Sequence, residues 1–169
     1  MNTLHIIAGP PASGKSTYGK RLAARLGATL LDIDTATEAI VKAGLELAGL
    51  NPNDRDSPVF KKTFRIPIYD TLFQVARENL PHISVVLVGP FTAELRNSDW
   101  PDTLALRIEA PIEIHYVTCD PEIRRLRMQR RNQARDASKL AAWDQHLAYY
   151  RNEPRPAFEH HFIDTSSSG

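Results

Sequence analysis

Residues 9–17 read Gly-Pro-Pro-Ala-Ser-Gly-Lys-Ser-Thr, and this stretch decides the fold. It satisfies G-x-x-x-x-G-K-[ST] at every fixed position, with the apolar run Leu4–Ala8 before it and a segment of helical period, Lys15–Leu26, after it. A strand feeding a helix through such a turn is a ready anion site. Gly9 and Gly14 allow the tight path, and the amides of Ala12, Ser13, Gly14, Lys15 and Ser16 converge at the positive end of the helix dipole. Pro10 and Pro11 have no N–H and only shape the loop. Lys15 is then placed for the β- and γ-phosphates of a nucleoside triphosphate, Ser16 for Mg²⁺, and Thr17 for the α-phosphate.

Working outward, short β-branched runs alternate with longer helical ones, the pattern of a parallel sheet with crossover helices. Five strands are predicted at Leu4–Ala8, Thr29–Ile33, Ile83–Val88, Ile114–Val117 and His160–Ile163. In the first helix Tyr18, Leu22, Ala23 and Leu26 form the apolar face, and Gly27 sits at C′. A second helix is predicted from about Thr35 to Leu47, with Ile40, Val41, Leu45 and Leu47 inward, followed by a loop at residues 51–58. Pro67 should kink the helical stretch Val59–Leu80 or divide it into two helices. Asp120-Pro121 reads as an N-cap with proline at the first helical position. A last amphipathic helix should run to about Tyr150, and Ser166–Gly169 reads as a chain end.

With 169 residues, 42% of them hydrophobic, the chain has enough apolar material for one domain, expected to span 1–169. There are 21 Lys+Arg against 20 Asp+Glu, which argues against a dedicated duplex-DNA binder. One cysteine, Cys119, excludes an internal disulfide, and the N-terminus lacks a signal-peptide pattern. The expected setting is cytoplasmic, with no membrane partner. His82, His115, His146, His160 and His161 show no metal-ligand spacing, so no zinc site is read from them.

The remaining parts of a phosphoryl-transfer site also have candidates. Asp32 and Asp34 close the second strand in L-L-D-I-D, and strand C-termini line the ligand crevice of a parallel sheet. Asp34 is assigned to receive the acceptor's proton and Asp32 to hold Mg²⁺; the two roles can be exchanged, and at least one aspartate can cap the next helix. Arg127, Arg131 and Arg135 fall at i, i+4, i+8 and form one basic stripe if the helix continues, a suitable lid over phosphate. Arg124, Arg125 and Arg130 lie off it as surface residues or salt-bridge partners. Arg65, Tyr69 and Arg96 are candidate acceptor contacts, and Phe91 and Trp100 either stack an acceptor ring or finish a core.

No N-K-x-D guanine element is present, and the third strand ends in Val88-Gly89-Pro90-Phe91 without the acid of a motor ATPase. The phosphate loop Gly9–Thr17, Asp34 at the end of the second strand and the Arg127–Asp136 segment together resemble the P-loop small-molecule and polynucleotide kinase group. These are the AAA-domain-like kinases that include polynucleotide kinase, chloramphenicol phosphotransferase and zeta toxin. The resemblance implies a three-layer α/β fold, a five-stranded parallel sheet in order 2-3-1-4-5, and an arginine-rich lid at about 121–138. It also implies ATP and Mg²⁺, and transfer to a hydroxyl of a small molecule or nucleic-acid end. The sequence departs from the group where relatives carry a basic residue soon after the base, having Thr37 and Glu38 instead. The rival reading is a nucleotide-binding switch or regulatory ATPase whose basic helix meets a protein or RNA partner.

Overall fold

A computed structural model describes residues 1–151 and 155–167, so Ser168 and Gly169 of the predicted chain end lie outside the described residues. The elements run β1 (Leu4–Ala8), α1 (Lys15–Leu26), β2 (Thr29–Asp32), α2 (Ile33–Leu47), α3 (Pro58–Asn79), β3 (Val85–Val88), α4 (Trp100–Ile108), β4 (Ile112–Thr118), α5 (Pro121–Arg131), α6 (Ala137–Ala141), α7 (Trp143–Arg151) and β5 (His161–Asp164). All four strand pairings are parallel and the order is β2-β3-β1-β4-β5, as expected. Among the described residues, no helix is long and apolar enough to cross a membrane.

β3 and most of β1 are apolar on both faces because helices cover both. On one side Ile7, Val86, Val88 and Val117 pack against Leu22 and Ala23 of α1. On the other, Leu4, Ile6, Val85 and Leu87 meet Leu72, Phe73 and Ala76 of α3 and Leu104 and Ile108 of α4. Burying each such side chain contributes roughly 1.5–3 kcal/mol, and this fixes the sheet on which the loops are mounted.

Several local expectations are corrected. The second strand ends at Asp32 and α2 begins at Ile33, because the Asp32 side chain accepts from the amides of Asp34 and Thr35 and caps the helix there. In α2 only Val41 and Leu45 are buried; Ile40 and Leu47 are 73% and 92% exposed, both lying more than about 100° around the helix from the centre of that face. Pro67 does not divide α3, which is one helix of 22 residues. Proline removes one backbone hydrogen bond, but Tyr69, Leu72, Phe73 and Ala76, at i, i+3, i+4 and i+7, bury the following turns on the sheet and offset it. The last helical stretch is broken at Ala142 into α6 and α7. Gly27 ends α1 at φ 62° with its N–H on the carbonyls of Ala23 and Ala24, as its position predicted.

Candidate active site

The phosphate loop leaves β1 at the C-terminal edge of the sheet and enters α1 through Gly14, whose φ of 91° is a left-handed conformation that favours glycine. Gly9, at φ 142°, lies beneath the loop, where an added Cβ would collide with the Val117 carbonyl. Ser13 is fully buried and its carbonyl accepts from the Thr165 hydroxyl at 2.7 Å. Gly9 and Ser13 thus shape and anchor the loop from behind, while Ala12, Gly14, Lys15, Ser16 and Thr17 line the open cleft in front. Thr165, just beyond β5, had no local motif to mark it; it holds the loop and also meets Arg127.

Lys15 directs its ammonium to the Pro10 carbonyl at 2.6 Å. Burial lowers its pKa to about 8, opposed by the carboxylates of Asp34 and Asp32 and reinforced by Arg131 and Arg124. A lysine held in this state has strong reason to meet an anion. Beside it the Ser16 hydroxyl donates to Asp32 Oδ2 at 2.6 Å, while Asp32 Oδ1 caps α2. A hydroxyl and a carboxylate side by side are hard oxygen donors, and this pair fits Mg²⁺.

Only Asp32 closes the second strand, because Asp34 already belongs to the first turn of α2. Both aspartates nonetheless reach the same cleft. The side chain of Asp34 is half exposed and pairs with Arg135 at 2.8 Å.

The predicted single arginine stripe is corrected. Asn132 adopts a left-handed conformation at φ 46° and ends α5 after Arg131, so Arg135 lies in a short 3₁₀ turn, Ala134–Asp136. The three arginines still face the cleft, each with a different partner. Arg127 donates to the hydroxyl and carbonyl of Thr165, at 2.9 and 2.8 Å. Arg131 grips the buried Asp136 carboxylate with two hydrogen bonds of 2.5 and 2.7 Å. Arg135 pairs with Asp34 from a segment distant in sequence. Arg124, expected at the surface, is buried with Met128 on the inner face of α5, whereas Arg125 stays outside with its guanidinium over the Trp143 ring.

The cleft measures ≈ 1370 Å³ and is lined by ten Lys and Arg side chains against six acidic ones, so a chain of near-neutral charge gathers its cations here. Beyond Asp34, Arg65 pairs with Glu94 at 2.7 Å and lies over Tyr69, while Arg96 lies over Tyr149. Burial, with help from Glu94, pushes the Tyr69 hydroxyl up to about 12, so it stays protonated. Phe91 is fully buried among Tyr69, Phe73 and Trp100 with ring centroids 4.9–6.0 Å away, which makes it and Trp100 core rather than a stacking platform.

A protein from Chloroflexus aurantiacus is similar in structure, with a TM-score of 0.65 at 19% identity over 98% of this chain and 89% of its own. A sugar kinase from Janibacter sp. matches with a TM-score of 0.60 at 15% identity over 97% and 85%. A gluconokinase from Sinorhizobium meliloti matches with a TM-score of 0.55 at 18% identity over 96% and 82%. No curated protein matches the chain. Residues 4–153 match the model of the AAA domain family AAA_33, a span that includes the phosphate loop, Asp32, Asp34, Arg127, Arg131 and Arg135. The solved neighbours are P-loop kinases in architecture, and the chain belongs to the AAA domain family.

Proposed function

We infer that this chain is a kinase that moves the γ-phosphoryl group of ATP to a hydroxyl of a small molecule, with a nucleic-acid end as the alternative acceptor. The observation that carries the reading is the convergence of Lys15, the Ser16–Asp32 pair and the Asp34–Arg135 pair in one cleft. Its kinase-named neighbours support the same class.

In this reading Lys15 and the loop amides hold the β- and γ-phosphates, and Ser16 and Asp32 hold Mg²⁺, which when bound supplies charge neutralisation between those phosphates. Asp34 accepts the proton of the acceptor hydroxyl as its oxygen bonds to the γ-phosphorus. The bond to the bridging oxygen breaks and the electron pair leaves with ADP. Arg135 fixes the position of the Asp34 carboxylate through its 2.8 Å ion pair. Arg127 and Arg131, on the wall above the loop, offset charge on the equatorial oxygens.

The test is a transfer assay with γ-labelled ATP against pools of sugars, nucleosides, aminoglycoside-like antibiotics and 5′-hydroxyl oligonucleotides. Label should move into one pool. Asp34→Asn should keep ATP binding and lose transfer, and Lys15→Ala should lose both. Label released only as free phosphate in every pool would instead favour the regulatory ATPase.

A further inference from the structure

On the face of the sheet covered by α1, three adjacent strands bring histidines and a glutamate together. His5 on β1 stands beside Glu113 on β4, and His115, two residues further along β4, stands beside His161 on β5. Tyr18 of α1 reaches them. His5 and His115 are 7% and 4% exposed, so polar rings have been placed at strand positions that elsewhere on this face carry Ile7 and Val117. Burying them without full pairing is unfavourable.

The geometry points to a binding site for a divalent transition-metal cation of the zinc type, held by His5 Nδ1, His115 Nε2 and Glu113 Oε2, with the fourth position open to solvent beside His161. Two ligand atoms bound tetrahedrally to zinc at about 2.0–2.1 Å are about 3.4 Å apart. The three atoms here are separated by 3.3 Å (His5–His115), 3.2 Å (His5–Glu113) and 3.9 Å (His115–Glu113). Glu113 is half exposed and can close the longest of these by turning its carboxylate. All three ligand atoms lie within 4.8 Å of one another.

The surroundings are those of a ligand set. The Tyr18 hydroxyl pairs with His115 Nδ1 at 2.9 Å, which occupies the other ring nitrogen and turns Nε2 toward the cluster. The His115 ring is also stacked on His161 with centroids 4.5 Å apart. His161 Nε2 lies 3.5 Å from the same Glu113 oxygen, so three imidazoles surround one carboxylate. Imidazole donors favour zinc-type ions over Mg²⁺ or Ca²⁺, which separates this site chemically from the Ser16–Asp32 pair. Occupancy would tie β1 to β4. Sequence spacing concealed the site because His5 and His115 are 110 residues apart.

The test uses the full chain, stripped with a chelator and free of nucleotide. Zn²⁺ is titrated against a chromophoric competitor, and Co²⁺ serves as a spectroscopic substitute. The expected result is one ion per chain, tetrahedral Co²⁺ ligand-field bands without a thiolate charge-transfer band, and a rise in Tm with Zn²⁺. Glu113→Gln and His5→Gln should each weaken Zn²⁺ by more than about tenfold, Tyr18→Phe by about tenfold, and Ser16→Ala should leave it unchanged. Should His5→Gln fail to fold, Glu113→Gln decides, since its side chain is half exposed. Absence of one-to-one binding, binding undiminished in Glu113→Gln, or binding lost in Ser16→Ala would overturn the assignment.

Discussion

Replacing Arg131 tests what holds the cleft wall. Its guanidinium makes two hydrogen bonds to Asp136, whose side chain is 2% exposed, while that of Arg131 is 32% exposed. Arg131→Met leaves a carboxylate in a dry site without its partner, and breaking such a pair costs about 3–5 kcal/mol when both groups are fully buried. Partial exposure of the arginine places the expected loss near the lower end, about 3 kcal/mol. For a chain of this size that corresponds to a fall in Tm of roughly 6–12 °C. Asp136→Asn should cost less, because the amide is neutral and keeps an acceptor for the guanidinium. The double variant should be more stable than the sum of the single losses predicts, with a coupling of at least about 1 kcal/mol. Urea unfolding of the four proteins, each without nucleotide, measures the cycle. Strict additivity, or an Arg131→Met loss below about 0.5 kcal/mol, would show that the Arg131–Asp136 pair does not hold the cleft wall.

Lys15, with a pKa of about 8, must be charged to hold phosphate, so ATP affinity should fall as pH rises through 8, by at most about tenfold per unit. Titration with a fluorescent ATP analogue from neutral to alkaline pH checks this, and a flat profile would contradict it. Asp32→Ala removes the acceptor of two helix amides and should cost about 1 kcal/mol of stability in thermal unfolding, whereas Asp32→Asn should keep most of the stability and raise the Mg²⁺ requirement of turnover. Gly19→Ala, in α1, would place a Cβ 2.5 Å from Val88 Cγ2 and should lose about 1–3 kcal/mol despite alanine's better helix propensity. Adding Val88→Ala should recover part of that loss; no recovery would show that the clash is not the cause. His146, lowered to about 4 mainly by burial, remains neutral in the fold. Unfolded chains take up its proton below about pH 6.5, so stability should fall as pH drops from 6.5 toward 4, and His146→Gln should show a shallower acid decline in Tm.

The phosphate loop was legible in the sequence because its chemistry is local. Gly9, Gly14, Lys15 and Ser16 act through one turn of backbone, and the flanking strand and helix are set by the period of their own apolar residues. Asp120-Pro121 and Gly27 were legible for the same reason, since a cap is a contact between near neighbours. The parallel sheet followed from the alternation of elements, and its strand order from the resemblance.

What spacing could not supply was any choice that depends on how separate elements meet. Whether Asp32 or Asp34 caps α2 was decided by one residue of strand length. The arginine stripe was drawn as one helix, and the left-handed turn at Asn132 divided it. Only the packing of α5 and the turn after it then brought Arg135 to Asp34 and Arg131 to Asp136. Phe91 went to the core because three rings from other elements enclose it, and His5 meets His115 because β1 and β4 are neighbours in the sheet. A side chain's local preference is written in the residues within a few positions of it, but its partner is chosen by the burial of whole helices on a sheet, and that packing is a property of the assembled chain.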